Sequence, residues 1–591
     1  MNEPRTLLDV FAAWHAASQA PALVDVRGGG ERRLPAPEVA SRVAGLARGL
    51  AALGIGKGDR VALLCGDRPE WHIVDFAVLH LGALDVPIYP TLLASQVGPI
   101  LADSGARAIV VENTEQLAKI AEIRGSCLDL REVIVIDGDA AEGVRTLDSC
   151  AEPMDEAGAI AFLDACRAAV QAEDLATLLY TSGTTADPKG VMLTHDNFVF
   201  DAVSAASVMP WPEGDIALTF LPLSHVLERL IDYAYFFKGL TIAYCGILEA
   251  GEAMRRVRPH LFTAVPRFYE KVYDRIFHEI SNARGVKRSI LRRAVHTALS
   301  SVKRGRRGPG WHLFNLVVYS RVRAALGGRI RFTISGGAPL PVFVASFFHG
   351  VDVNVLEGYG LTETSPVICV NRYGRAKLGT VGPAIPGVEL RIAPDGEVLT
   401  RGRHVMRGYW HKPERTAAVL DADGWFATGD IGELDADGFL RITDRKKDIL
   451  VTAGGKNVAP QSIEDRLRAS PLVENAVLFG DRKPYIVALI VPSVEGLESW
   501  ARERGLPASD VRTLIGRDDV VEVYGRVVAE VNHDLARFET VKKFRLVPEP
   551  FTISGGELTP TLKVKRRVVE TRYSAILASL YAEEASFESW G

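Results

Sequence analysis

The sequence predicts an α/β protein of several domains, built on mainly parallel sheets. Its 591 residues are too many for a single hydrophobic core. Through the first two-thirds, short β-like runs such as RVALLCG (60–66), ARAIVVE (106–112) and EVIVIDG (132–138) alternate with helical segments. Apolar runs that alternate with amphipathic helices are typical of parallel sheets covered on both faces. We therefore expect sheets of this kind in the first two-thirds of the chain.

The pattern changes between residues 376 and 443. Short strands with tight turns dominate there, as in PDGEVLTRG and DADGFLRIT, and their Asp-Gly pairs are hairpin signals. After the charged segment DRKKD (444–448) a new α/β pattern begins and continues to the end. Domain boundaries fall in polar segments of this kind. We therefore expect a first domain over 1–443 and a second over 449–591.

The overall composition excludes several classes of protein. Hydrophobic residues make up 47% and charged residues 24% of the chain, as in ordinary globular enzymes. A formal net charge of -4 argues against a dedicated nucleic-acid binder. Six scattered cysteines without a C-x-x-C pair argue against structural zinc and a disulfide framework, and they fit a reducing cytoplasm. The N-terminus does not read as a secretory signal, and no apolar run of about 18 residues predicts a transmembrane helix.

One segment, 281–331, is strongly basic. It holds 13 Lys and Arg residues and no Asp or Glu. Within it, Ile290, Leu291, Ala294, Val295, Ala298, Leu299 and Val302 recur at helical spacing. A basic amphipathic helix can lie on an anionic membrane surface. The alternative is a core helix with a solvated basic face, or a face that attracts an anionic ligand. Peripheral contact with the inner face of a membrane is therefore one of three open interpretations.

The segment YTSGTTADPKG (180–190) carries the clearest chemical signal. Apolar and aromatic residues lead into it, so it predicts a strand followed by a flexible loop. Glycines allow close approach of a ligand, and hydroxyls, backbone amides and a lysine supply donors to phosphate oxygens. The Walker spacing is absent. The loop therefore predicts a polyphosphate site of another type, formed by Thr181, Ser182, Gly183, Thr184, Thr185 and Lys189.

Together with five further segments, this loop resembles the adenylate-forming (AMP-binding) superfamily. The segments are LPLSHVLER (221–229), ISGGAPL (334–340), EGYGLTETSP (357–366), TGD (428–430) with DRKKDILVTAGGKNVAP (444–460), and LTPTLKVKRR (558–567). Within the superfamily, three segments are similar to long-chain fatty acyl-CoA synthetases: VPRFYEKVY (265–273), ITDRKKDILVTAGGKNVAPQSIE (442–464) and LTPTLKVKRR (558–567). The resemblance implies a large N-terminal domain of two α/β sheet subdomains plus a small β-barrel, then a smaller mobile α+β C-terminal domain. It also implies that 444–448 is a hinge, centred on Lys447.

The resemblance implies a nucleotide site. Glu363 would bind Mg²⁺ and Thr362 the α-phosphate of ATP, while Tyr359 would stack on the adenine and Asp430 would bind the ribose hydroxyls. The other residues it places around the nucleotide are Gly336, Gly337, Ala338, Gly358, Gly360 and Arg445. Gly454 and Gly455, with Lys456, would lie at the pantetheine tunnel of coenzyme A.

The family's catalytic lysine can be aligned in two ways. LKVKR fits the family pattern with Lys563 as the catalytic lysine and Arg566 as its arginine, if the loop is slightly shortened. An ungapped alignment selects Lys565 instead. A lysine in this role bridges the substrate carboxylate and the α-phosphate. We expect Lys563 to be the catalytic residue.

At the acyl site, His225 matches a family histidine. Some long-chain relatives carry an aromatic gate four residues later, where this chain has Arg229. Arg229 would pair either with Glu228 or with an anionic partner of the basic segment. The acid is expected to be long, about C12 to C18, as suits a deep apolar tunnel.

The expected function is ATP-dependent ligation of a long-chain fatty acid to coenzyme A through an acyl-adenylate. The alternatives are a fatty acyl-AMP ligase that delivers to a carrier-protein thiol, and an inactive relative that still binds nucleotide or acyl groups. The expected location is the cytoplasm. The sequence gives no oligomeric state.

Overall fold

Two eight-stranded sheets form most of the N-terminal part of the computed structural model, which describes residues 3–181, 188–212, 214–506, 510–552, 554–559 and 564–582. The first sheet runs parallel except at one edge, where Lys189–Thr194 and Gly408–Tyr409 are antiparallel. Its hydrogen-bonded order is Gly408–Tyr409, Lys189–Thr194, Leu175–Thr181, Leu84–Ile88, Arg60–Leu64, Ala108–Asn113, Glu132–Asp137, Arg145–Thr146. The prediction of mainly parallel sheets is confirmed here.

The second sheet has a parallel centre with an antiparallel strand at each edge. Its order is Val367–Val370, Asn354–Gly360, Phe332–Ser335, Leu261–Ala264, Ile216–Thr219, Thr241–Tyr244, Ala22–Asp25, Arg32–Pro35. The Ser335–Glu357 pair ends the parallel register of two central strands. The loops that follow those strands therefore leave the sheet side by side, as at the ligand-binding edge of open α/β sheets.

Helices Pro69–His80 and Val226–Phe237 join the two sheets. Every residue of the first helix is buried, and so are nearly all residues of the second. Their aromatic side chains share one apolar core with residues from both sheets. Helices buried on every side, as these two are, lie between two layers rather than at a surface. The two sheet units are therefore fixed to each other through these helices.

A fully buried charge network crosses this contact and centres on Arg229. Its guanidinium lies 2.6 Å from Asp75 Oδ1 and 3.2 Å from Asp85 Oδ2, and its Nε donates to the Tyr233 hydroxyl. Burial opposes the charged form, but Asp75, Tyr233 and Asp85 together raise the pKa of Arg229. Both partners expected from the sequence are therefore wrong. Arg229 points between the sheets, whereas burial raises the pKa of the neighbouring Glu228 well above its usual range and favours its neutral form.

The remaining strands form smaller units. Residues 389–445 fold into an antiparallel sheet in the order Glu389–Ile392, Glu397–Arg401, Phe426–Leu434, Leu440–Arg445, where hairpin turns were expected. After it comes a two-stranded hairpin, Leu450–Val451 with Asn457–Val458. The C-terminal part is built on a mixed sheet of Val473–Phe479, Ile486–Pro492 and Val541–Leu546, with its own apolar core.

The α-helices before the hinge segment are Leu7–His15, Ala36–Ala52, Pro69–His80, Ala94–Ser104, Thr114–Ile123, Leu147–Cys150, Glu156–Ala169, His195–Ser207, Val226–Phe237, Ala250–Val257, Pro266–Asn282, Gly285–Arg304, Pro309–Phe314, Ser320–Ala325, Val342–Gly350 and Pro413–Ala417. Those after it are Pro460–Arg468, Val494–Glu503, Val511–Ile515, Asp518–Asn532, Arg566–Arg572 and Ser574–Ala582. Within the described ranges, no helix is both long enough and apolar enough to cross a bilayer.

Candidate active site

The predicted phosphate loop connects two paired strands at one edge of the first sheet. Thr181 pairs with Lys189 in the antiparallel ladder, so both ends of the loop are fixed. The side chain of Thr181 and the residues Ser182, Gly183, Thr184 and Thr185 lie outside the described part of the chain. Lys189 Nζ lies 5.0 Å from the centre of the Tyr409 ring. A cation over an aromatic face is attracted by the ring quadrupole, which places this lysine next to Tyr409.

Tyr409 also contacts the predicted magnesium residue. Its hydroxyl donates to Glu363 Oε1 at 2.8 Å, and burial followed by this carboxylate raises the pKa of the phenol. Thr362 and Glu363 lie in a 3₁₀ turn directly after strand Asn354–Gly360. Lys189, Tyr409 and Glu363 therefore form one cluster of opposite charges. Tyr409 was missed in the sequence, although its position in an aromatic GYW segment was a signal.

Glycines allow two close approaches beside this cluster. A Cβ on Gly360 would lie 1.6 Å from the carbonyl oxygen of Pro366, and one on Gly336 would lie 2.8 Å from Leu227 Cδ2. No side chain larger than hydrogen fits at Gly360 without a backbone shift. Gly336, Gly337 and Ala338 form the turn after strand Phe332–Ser335, which pairs with the strand that carries Gly358 and Gly360. The two predicted base-lining segments are thus neighbours.

The predicted adenine and ribose residues meet directly. The Tyr359 hydroxyl donates to Asp430 Oδ2 at 2.8 Å, and Arg445 Nε lies 3.1 Å from Asp430 Oδ1. Asp430 and Arg445 are paired on adjacent strands, which fixes their spacing. Burial, followed by the Asp430 carboxylate, raises the pKa of Tyr359, so its hydroxyl stays a neutral donor. The Asp430 side chain is only 4% exposed, whereas Arg445 is 46% exposed.

His225 lies at the start of helix Val226–Phe237. Its Nδ1 accepts a hydrogen bond from the backbone N–H of Leu227 at 3.2 Å, so the imidazole caps the helix. The same Leu227 packs against Gly336. Leu227 therefore lies between His225 and the predicted base-lining turn. The His225 ring has a structural role as a helix cap, in addition to any role toward the acid.

The C-terminal lysines differ in what the structure describes. Lys563 lies outside the described residues, whereas Lys565 starts helix Arg566–Arg572 and its backbone N–H donates to Glu557. Arg566 is bound internally. Its guanidinium donates to Glu464 Oε1 at 2.6 Å and to the carbonyl oxygen of Leu478. Arg566 thus anchors this segment to the C-terminal core.

The predicted hinge segment 444–448 contains a lysine that is ion-paired to the N-terminal part, directly before Lys447. Lys446 Nζ lies 2.7 Å from both Asp395 Oδ2 and Glu397 Oε2, in the antiparallel sheet of the N-terminal part. Lys447, the next residue, is exposed and lies in a turn. An exposed turn directly after an anchored residue is suited to absorbing a backbone rotation.

The predicted coenzyme A loop belongs to the C-terminal part. Gly454, Gly455 and Lys456 form the turn of hairpin Leu450–Val451 and Asn457–Val458, with Gly455 at φ +71°. Ala453 next to it donates to the carbonyl oxygen of Lys483. The hydrogen bond to Lys483 ties this loop to the C-terminal part.

Within the part of the chain that the structure describes, two ion pairs join the C-terminal part to the N-terminal part. Arg267 Nη2 lies 3.0 Å from Glu474 Oε1, and Arg468 Nη1 lies 3.4 Å from Glu270 Oε1. Arg267 and Glu270 belong to the segment 265–273 that resembles long-chain synthetases. This segment therefore contacts the second domain in the orientation the structure adopts.

Comparison with protein families gives two matches in sequence order. The model of the AMP-binding enzyme family matches residues 10–410, and that of the AMP-binding enzyme C-terminal domain matches residues 447–585. The chain is 41% identical over 558 residues to the long-chain-fatty-acid–CoA ligase FadD15 of Mycobacterium tuberculosis, with 93% of this chain and 92% of that protein covered. It is 31% identical to the peroxisomal long chain acyl-CoA synthetase 7 of Arabidopsis thaliana, with 93% and 81% covered.

Solved structures share the fold. An anthranilate CoA ligase, AuaEII, determined with anthranoyl-AMP, superposes with a TM-score of 0.73 at 21% identity and covers 98% of this chain and 99% of its own. A fatty acyl CoA synthetase of Mycobacterium tuberculosis gives a TM-score of 0.61 at 22% identity, covering 97% and 99%. At this level of identity the likeness supports the architecture alone.

Proposed function

Because the chain belongs to the AMP-binding enzyme family, we propose that it ligates a long-chain fatty acid to coenzyme A, with cleavage of ATP to AMP and pyrophosphate. Relatives at 41% and 31% identity, aligned over most of their length, carry names of this activity. The observation that carries the proposal is the contact of Tyr359, Asp430 and Arg445 beside the Lys189–Glu363 cluster. It supports a nucleoside site next to a phosphate site.

The chemistry of Asp430 suits a ribose. A carboxylate has about four lone-pair sites, and Tyr359 and Arg445 use two of them. Because a carboxylate only accepts hydrogen bonds, Asp430 is suited to the two hydroxyl donors of a ribose. The hydroxyl of Tyr359 fixes its ring next to this carboxylate, which supports stacking of the adenine on that ring. The exposed Arg445 can reach the ribose from the solvent side.

Glu363 fits the requirements of Mg²⁺. A hard cation that bridges nucleotide phosphates needs only one or two protein carboxylates, and Glu363 offers one that is already oriented by Tyr409. When bound, the cation would neutralise charge on the phosphates. Lys189 and the loop before it would hold the β- and γ-phosphates, and Thr362 would donate to the α-phosphate. Lys189 starts a strand of the first sheet, and Thr362 lies in the turn directly after strand Asn354–Gly360.

Two steps complete the proposed reaction. In the first, a carboxylate oxygen of the acid bonds to the α-phosphorus, and the bond from that phosphorus to pyrophosphate breaks. Lys563 would bridge the carboxylate and the α-phosphate, so that charge at phosphorus is stabilised. In the second, the thiolate sulphur of coenzyme A bonds to the acyl carbon and the bond from that carbon to AMP breaks. Rotation about Lys447 would replace Lys563 by the Gly454–Gly455 loop between the steps.

The acid, the acceptor and the location complete the proposal. His225 and the helix it caps would border the acyl site, with a long aliphatic acid as substrate. Coenzyme A is favoured as acceptor over a carrier-protein thiol by the names of the relatives. A cytoplasmic enzyme that touches a membrane through 281–331 would meet acids of this kind where they partition, in the bilayer.

The direct test is pyrophosphate release from ATP across fatty acids of increasing length, each with and without coenzyme A. We expect continuous turnover that requires coenzyme A and is fastest with a long chain. A single-turnover burst that coenzyme A does not change would indicate a protein-bound acceptor. No release with any acid would contradict the proposal and favour an inactive relative.

A further inference from the structure

The basic segment 281–331 exposes an unusual number of apolar side chains. Among the described residues, eighteen large hydrophobic side chains are exposed, and five of them lie in these 51 positions. They are Val286, Ile290, Leu313, Leu316 and Val317. Large apolar side chains gathered on one surface mark an interaction site, whereas single ones do not. The concentration therefore needs an explanation in terms of a partner.

The inner face of the same segment is firmly packed. Ala294 and Ala298 on helix Gly285–Arg304 are fully buried, and the Tyr319 hydroxyl donates to the carbonyl oxygen of Ala294 at 2.7 Å. The Trp311 indole donates to the carbonyl oxygen of Gly350 at 2.7 Å. The core-helix alternative thus holds for the inner face. The exposed apolar side chains are distinct from these buried residues, and the packed inner face keeps them directed toward solvent.

Their spacing places these side chains on the outer helical surface. Val286 and Ile290 are four residues apart, and Leu313, Leu316 and Val317 follow at three and four residues, so each set lies on one side of its helix. Leu313 is 62% and Leu316 is 78% exposed, more than partial packing against a neighbour would leave.

Exposed basic residues flank the apolar ones. Arg293 lies one turn after Ile290, and Arg321 lies about one turn after Val317. Other exposed cations of the segment are Lys287, Arg292, Lys303, Arg304 and Arg306. The segment contains no Asp or Glu of its own, although Arg307 and Arg331 pair with Asp352 and Asp215 of other elements. Apolar side chains surrounded by cations are the pattern that binds an anionic bilayer surface, because the apolar groups enter the acyl boundary while the cations stay at the headgroups.

We propose that helix Gly285–Arg304 and the segment 309–321 form a docking surface for an anionic phospholipid bilayer, with Ile290, Leu313, Leu316 and Val317 inserted and Arg292 and Arg293 at the headgroups. We choose an anionic bilayer as the partner because the exposed cations complement its negative headgroups and the exposed apolar side chains suit its acyl boundary. The surface deepens the membrane contact included in the proposed function, and none of these residues belongs to the proposed catalytic site. Its test is therefore independent of whether the chain ligates fatty acids.

The first arm of the test measures charge. The full chain is floated with vesicles of phosphatidylcholine alone and with vesicles that also contain phosphatidylglycerol, at low and high salt. We expect binding to the anionic vesicles that salt weakens. Arg292→Gln with Arg293→Gln should weaken it by about thirty-fold, at about 1 kcal/mol for each cation near the surface. The matched control, Arg33→Gln with Arg131→Gln, removes two exposed arginines outside the segment and should bind like the wild type.

The second arm measures insertion. Leu313→Ser with Leu316→Ser should weaken binding to anionic vesicles and leave its salt dependence in place. The control, Leu128→Ser with Leu248→Ser, replaces two leucines that are 93% and 97% exposed elsewhere and should have no effect. All four variants should keep the wild-type circular dichroism spectrum and thermal midpoint, because every replaced side chain is exposed.

Three results would overturn the proposal. One is absence of binding to either vesicle by the folded wild type. Another is binding that neither pair of variants changes. The third is retention on a polyanion such as heparin without binding to anionic vesicles, which would assign the surface to a soluble acidic partner instead.

Discussion

Asp430→Asn is the change whose effect the site geometry defines most closely. The carboxylate accepts from the Tyr359 hydroxyl at 2.8 Å and faces Arg445 at 3.1 Å. An amide of the same shape keeps one acceptor oxygen, loses the negative charge and turns an NH₂ group toward one of these two donors. The space is preserved, so any loss reflects the missing charge and acceptor sites rather than a cavity.

The expected loss of activity follows from the strength of hydrogen bonds to a charged acceptor. Each is worth about 1.5–3 kcal/mol, so the loss of one such bond to the ribose should lower kcat/KM for ATP by about 10- to 150-fold. The assay is ATP–pyrophosphate exchange at a fixed concentration of one long-chain acid. Asp437→Asn is the control, since Asp437 is 75% exposed in the turn before strand Leu440–Arg445.

A substrate lacking one hydroxyl isolates the interaction. The wild type should discriminate against 2′-deoxy-ATP, and Asp430→Asn should discriminate much less, because the same bond is already missing. Loss of less than about two-fold with ATP, or undiminished discrimination against 2′-deoxy-ATP, would refute the ribose role.

Three further predictions concern other parts of the chain. Lys563→Ala should abolish pyrophosphate release but spare thioester formation from supplied acyl-AMP. Lys565→Ala should leave both activities largely intact. If Lys565→Ala abolishes pyrophosphate release and Lys563→Ala does not, the ungapped alignment is correct. Glu363→Gln should raise the Mg²⁺ concentration needed for half-maximal pyrophosphate release by about ten-fold, and an unchanged requirement would contradict its role. Arg229→Met should destabilise the fold by about 3–5 kcal/mol, because it leaves the Asp75 carboxylate buried without its cation. That loss should lower the urea midpoint of tertiary fluorescence, and Arg229→Met with Asp75→Asn should recover part of it; additive losses would argue against the pair.

Patterns local in sequence predicted much of the architecture. The apolar runs at 60–66, 106–112 and 132–138 are the strands Arg60–Leu64, Ala108–Asn113 and Glu132–Asp137 of one parallel sheet. Alternation with helices is sufficient for this inference, since parallel strands need a crossover. The Asp-Gly turns of 376–443 likewise mark an antiparallel sheet, because their signal is carried by adjacent residues.

Contacts between segments that are distant in the chain could not be predicted from a single sequence. Arg229 pairs with Asp75, which is 154 positions away in the sequence. No local pattern distinguishes that partner from the adjacent Glu228. Helix geometry decides it, because neighbouring residues on a helix point in different directions, so Arg229 faces Asp75 while the equally buried Glu228 points elsewhere. The Tyr409–Glu363 bond spans 46 positions and was missed because it also joins distant segments. Tyr359 and Asp430 were both expected at the nucleotide, but only the fold shows that they bond to each other.

The basic segment illustrates a different limit. Its periodicity predicted one apolar stripe that includes Ile290, Ala294 and Ala298, yet the structure buries the alanines and exposes the isoleucine. Small residues fit the close approach of helix Val342–Gly350, where a Cβ on Gly350 would lie 2.8 Å from the backbone of Ala298. Periodicity locates a helix face, but the neighbouring helix decides which part of that face is covered.

The most direct test of the proposed activity follows oxygen from the acid. Palmitate labelled with oxygen-18 in its carboxylate is incubated with ATP, Mg²⁺, coenzyme A and the full chain, and the products are examined by mass spectrometry. If the carboxylate attacks the α-phosphorus and the thiol then displaces AMP, one oxygen-18 atom must appear in AMP together with palmitoyl-CoA. Palmitoyl-CoA accompanied by unlabelled AMP, or label in phosphate or pyrophosphate, would contradict an acyl-adenylate and with it the proposed roles of Asp430, Glu363 and Lys563.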